Sequence, residues 1–119
     1  MIISDFESPP DSTIVRWSCD QKPVVKQYAF EVQGAILKSG TGVAIAEPSN
    51  GNPHNGVIYN ADGSLRVRLV NPCVADGAIC FGDVYCDGSE LKFIARGPGF
   101  MWACVFDENG QLLRTHETR

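Results

Sequence analysis

Three times in its second half the chain repeats one kind of punctuation: Asn60-Ala61-Asp62-Gly63-Ser64, Tyr85-Cys86-Asp87-Gly88-Ser89 and Asp107-Glu108-Asn109-Gly110-Gln111. In each, Asp or Asn precedes a Gly that accepts left-handed backbone, the chemistry of a tight reversal between antiparallel strands. The runs between these turns alternate apolar and polar residues, and no segment of useful length has the 3.6-residue period of a helix. A chain reversed this often, over runs this short, buries its apolar side chains as an antiparallel sheet. The expected class is therefore all-β: one domain over residues 1–119, an antiparallel meander of about eight to nine strands, curled into a barrel or a two-sheet sandwich.

The stretch Ala78–Arg96 sits at the centre of this series, and its register decides which face is core. Asp87-Gly88 suits a two-residue loop, which sets Val84 against Leu91 and Asp83 against Lys92. It also suits a three-residue loop, which sets Phe81 against Phe93, Ile79 against Ala95 and Asp83 against Leu91. The second gathers Ile79, Phe81, Leu91, Phe93 and Ala95 on one face and is the form the hydrophobic pattern favours. It turns Asp83 toward the apolar side, where an ionised carboxylate needs a partner, water or a raised pKa.

Elsewhere, Ser8-Pro9-Pro10-Asp11 marks residues 1–12 as an N-terminal arm, since two prolines cannot continue a central strand. Thr13–Cys19 and Val25–Leu37 read as strands, the latter with Gly34 as a bulge. The clearest long loop is 47–56, Glu-Pro-Ser-Asn-Gly-Asn-Pro-His-Asn-Gly, with His54 near its tip. Leu65–Val70 returns against Val57–Asn60, pairing Tyr59 with Leu65 and Val57 with Val67. Met101–Phe106 is apolar on both faces, so both must be covered, by the N-terminal strands, a second sheet or a second subunit.

Of the 119 residues 44% are hydrophobic and 20% charged, and no apolar run approaches the ~18 residues of a membrane span. The opening Met-Ile-Ile-Ser-Asp-Phe-Glu has neither the basic nor the long apolar region of a signal peptide. A net charge of −4 argues against a nucleic-acid partner, and Arg66, Arg68, Lys92 and Arg96 read as a solvated sheet face. The 5 cysteines, an odd number with no C-x-x-C, suit free thiols and a cytoplasmic setting better than disulfides or zinc. No phosphate-binding, nucleotide-binding, serine-hydrolase or zinc-protease motif is present, and no metal or cofactor is expected. The three-residue register of the last hairpin would put Cys104 opposite Arg114 with His116 on the same face, a conceivable thiolate environment set against the fraying expected so near the end of the sequence.

What remains is a set of aromatic residues with one misplaced acid. Tyr28, Tyr59, Phe81, Phe93 and Trp102, with Asp83 as polar anchor, are the expected ligand-binding residues of a non-catalytic small-molecule binding domain, the 47–56 loop lying near the mouth. No catalytic residues are assigned. The alternative is a homo-oligomeric protein-interaction module that packs through the doubly apolar strand at 101–106.

Overall fold

The computed structural model describes residues 2–118. Eleven strands form three antiparallel sheets, and the one helical piece among the described residues is a single 3-10 turn at Val74–Asp76. The N-terminal sheet has order β1-β2-β3 (Ile3–Glu7, Ile14–Cys19, Lys22–Gln27). The middle sheet has order β4-β5-β6-β7 (Gln33–Ile36, Gly42–Ala46, Gly56–Asn60, Leu65–Leu69). The C-terminal sheet has order β8-β9-β10-β11 (Cys80–Asp87, Glu90–Gly97, Phe100–Phe106, Leu112–Thr118).

The middle sheet is sandwiched between the other two, and β5 and β6 are the strands buried on both faces. Val43, Ile45, Val57 and Tyr59 pack with Val15, Trp17 and Val32 on the N-terminal side. Ala44, Ala46, Ile58 and Leu69 pack with Phe81, Leu91, Phe93, Cys104 and Phe106 on the C-terminal side. Their continuous apolar runs, Gly-Val-Ala-Ile-Ala and Gly-Val-Ile-Tyr, are what two-sided burial demands. Gly42 belongs to the same packing, because a Cβ there would run into the Tyr59 carbonyl oxygen. The Trp17 indole N–H ties the first layer to the second by donating to the Ala61 carbonyl at 2.7 Å.

The all-β class stands, in a sandwich-like form rather than a closed barrel, and several details differ from expectation. The arm at 1–12 contributes β1. The alternation through Val25–Leu37 covers two strands, β3 and β4, because the chain changes sheets between them. Pro23 lies in β3, an edge strand, where its missing N–H breaks no ladder. Met101–Phe106 needs no second subunit: Ala103, Cys104, Val105 and Phe106 are all buried within the chain. Val105 lies between Lys92 and Arg114 on its outer face, and the Arg114–Glu90 ion pair bridges the same strands, so stems of long charged side chains cover it.

Turn chemistry holds where the bulges were not foreseen. Asn60 and Ser64 close one three-residue loop and Asp107 and Gln111 another, with Gly63 and Gly110 at φ of 89° and 86°. Tyr59 faces Leu65 as expected, then a bulge sets Ile58 opposite Val67. Phe106 faces Leu112, then a bulge sets Val105 opposite Arg114, so Cys104 faces Thr115 and not Arg114. The central hairpin takes neither expected register. Asp87 pairs with Glu90 around the two-residue loop Gly88-Ser89, with Gly88 at φ 62° in the first loop position, as a II′ turn requires. Val84 therefore faces Phe93, and a bulge at Gly82 returns Phe81 to the inner face opposite Ala95. Asp83 pairs with Ile94 on the outer face.

Candidate interaction surface

The six residues expected to line one pocket fall into four places. Phe81 and Phe93 belong to the core between the middle and C-terminal sheets, where they pack ring against ring at 5.2 Å and both meet Phe106 edge-on. Asp83 is half-buried on the opposite side of its sheet, and its Oδ1 accepts from its neighbour's amide, Val84 N, at 2.8 Å. The reason is the loop: a two-residue turn at Gly88-Ser89 places Asp83 on the face away from Phe81 and Phe93.

Tyr28 and Tyr59 do converge, on a residue absent from the expected set. Their hydroxyls donate to Glu47 Oε2 at 2.6 and 2.8 Å, while Arg68 reaches Oε1 at 3.2 Å. Lys26 lies 4.1 Å over the Tyr59 ring, a cation–π contact. Burial raises both phenols above the ordinary tyrosine value, and the hydrogen bonds to Glu47 raise them further. Glu47 continues the inward parity of Val43 and Ile45, which was the available signal: a carboxylate at the end of a buried face requires donors.

Beside Glu47 opens a cleft of about 290 Å³ whose lining includes Asp11, Glu31, Glu47 and Phe81, three carboxylates and no basic side chain. The 47–56 loop forms one wall and is held rigidly. Asn55, buried, donates through Nδ2 to the carbonyls of Glu47 (2.6 Å) and Phe81 (2.8 Å) and accepts the Phe81 amide at 2.7 Å. Nδ1 of His54 accepts from the Asn71 amide at 2.9 Å, so the imidazole fastens the loop to the connection after β7. Asn55 carried no sequence signal, since its partners lie in another sheet.

The fourth place, that of Trp102, is the end of the C-terminal sheet. Phe100 and Trp102 stack at 5.7 Å with 23° between ring planes, and Phe100 is 52% exposed. Ile79, 62% exposed, extends the row across Gly97. A groove of about 660 Å³ runs over the strand ends between Arg96, Phe100, Met101, Glu117 and Thr118.

Cys73, Cys80, Cys86 and Cys104 are free thiols. Cys73 and Cys104 lie 3.9 Å apart in the core, and burial pushes the Cys104 thiol up to about 12, the opposite of a reactive thiolate. Among the described residues no three His, Cys, Asp or Glu side chains are grouped to hold a metal ion, and no helix is long and apolar enough to cross a membrane.

Fold and surface together define a three-sheet, sandwich-like β protein with a filled interior and an aromatic patch at one sheet end. No family model matches the chain, and no curated protein matches it. Among solved structures, a chain in the structure of Tne2 in complex with Tni2 has a similar fold: TM-score 0.74 over 95% of this chain and 82% of that one, at 12% identity.

Proposed function

We propose that this chain is a protein-binding domain whose contact surface is the exposed end of the C-terminal sheet. The observation that carries the reading is the stacked Phe100–Trp102 pair, whose outer ring, Phe100, is half exposed near Ile79 and shares the strand-end groove with Arg96, in a fold that buries its other large aromatic cluster. Aromatic residues and arginine dominate interface energetics, and rigid stacked rings lose little entropy on docking. The likeness in fold to a chain from a two-protein complex supports the same reading.

In the test, the purified chain captures binding proteins from a lysate of the source cells. Each captured protein is then purified and titrated against the wild-type chain and against Phe100→Ser and Arg96→Glu, both at exposed positions. Affinity should fall about tenfold or more, the ~1.4 kcal/mol or larger loss typical of an interface anchor. A purified partner that binds both variants as tightly as wild type would overturn the assignment of the surface.

A further inference from the structure

The three sheets have six edge strands, and five of them are blunted. In β1 the ladder breaks between Ser4 and Glu7, with Asp5 at φ 54°. Pro23 interrupts β3. The four-residue β4 lies alongside β8, where Cys86 Sγ contacts the Ile36 carbonyl at 3.3 Å. β8 has its bulge at Gly82, and the Asn55 side chain occupies both the N–H and the C=O of Phe81. Over β7 lies the last hairpin turn, where Arg66 donates to the Glu108 carbonyl and Gly110 sits against Val67 and Leu69.

β11 is far less obstructed. It runs seven residues without proline, every side chain from Leu112 to Glu117 is exposed, and its single bulge, beside Leu113 at the start of the strand, leaves Arg114–Thr118 in regular pairing with β10. Proteins blunt long open edges because the free N–H and C=O groups template another strand, so an edge left open among five that are closed is a feature with a use. The groove described above is continuous with it, since Glu117 and Thr118 line both.

We infer that β11 is a strand-addition site: an extended segment of the protein partner pairs with β11 as a fifth strand of the C-terminal sheet and places an apolar side chain in the groove beside Phe100. Main-chain hydrogen bonds supply affinity and alternate side chains supply selectivity. Arg114 and His116 share one face, where both can donate to an acceptor side chain opposite them, Arg114 through the guanidinium beside its ion pair with Glu90. In a two-fold pairing of two copies centred on Thr115, Arg114 would stand opposite His116 with no carboxylate between them, so that register brings no complementary charge. The inference rests on the protein-binding reading and adds the mode of contact.

The probe is a phage-displayed library of random linear peptides of about 10 residues, the upper length of a natural strand. Recovered peptides should bind the full chain and lose affinity about tenfold when their alternate amides are N-methylated. In NMR they should show cross-strand contacts to β11 and protect its alternate amides from exchange. Failure to recover any binder, binders that contact another surface, or a dimer in sedimentation formed through β11 would each overturn the inference. The earlier reading is judged separately: a purified partner that depends on Phe100 but leaves the β11 amides unprotected would sink strand addition and leave protein binding standing.

Discussion

Tyr28 and Tyr59 place two hydroxyl donors on one carboxylate oxygen, and that geometry makes the cluster sensitive to alkali. Ionising either phenol would bury a phenolate beside Glu47, so the folded chain holds both protons above the ordinary value of 10.0 while the unfolded chain releases them near it. The stability this contributes is fully present below pH 10 and is lost as pH rises through the raised folded values. Urea midpoints should therefore fall steeply above pH 10, less steeply in Tyr28→Phe, and ultraviolet titration should find two phenols still protonated there until the fold is lost. A free ionisation of both near 10 in the folded protein would contradict the cluster. At this scale the sequence singled out the same two tyrosines as pocket-lining aromatics, whereas the structure sets them on a carboxylate. Their aromatic character was visible, whereas their meeting at Glu47 depends on how the first two sheets stack.

The elements were legible through their turns more than through their registers. Asp62-Gly63 and Asn109-Gly110 fix three-residue loops by local backbone chemistry alone, and both formed as read. At Asp87-Gly88-Ser89 the dipeptide is compatible with more than one loop, so packing chose, and the bulge at Gly82 made the choice affordable by keeping both Phe81 and Val84 inward. The long loop at 47–56 was equally visible, but not what holds it. Asn55 serves as a substitute strand neighbour for Phe81, and Asn55→Ala would leave a buried N–H and C=O without partners. The expected cost is about 2–6 kcal/mol, from roughly 1–3 kcal/mol for each of the two orphaned groups. Urea denaturation measures it, and amide exchange at Phe81 should accelerate in the same variant. A loss under about 1 kcal/mol would mean that water replaces the side chain and the edge is not sealed as described.

Across the whole molecule, one sheet serves two cores, and this predicts how the protein unfolds. The 2 tryptophans report on different layers: Trp17 is buried between the N-terminal and middle sheets, and Trp102 packs against the core of the C-terminal side. Because β5 and β6 contribute a face to each core, neither layer can open without exposing apolar surface of the other. Fluorescence of Trp17→Phe and Trp102→Phe should then give urea transitions that coincide, once each is corrected for its own mutational shift against circular dichroism. Separated transitions within one variant would show that the layers are independent units. The sequence by itself determined the class of fold, the sites of reversal and the pairs of strands joined by short turns, because backbone preference and period-2 alternation act within a few residues. Tertiary structure alone decided that three sheets stack rather than one curling closed, that β5 and β6 lie at the centre, that Asp83 faces outward and that Phe100 and β11 remain uncovered. Those outcomes depend on which apolar faces find each other across the chain, and on bulges that shift a register by one residue at a cost too small for any local pattern to reveal.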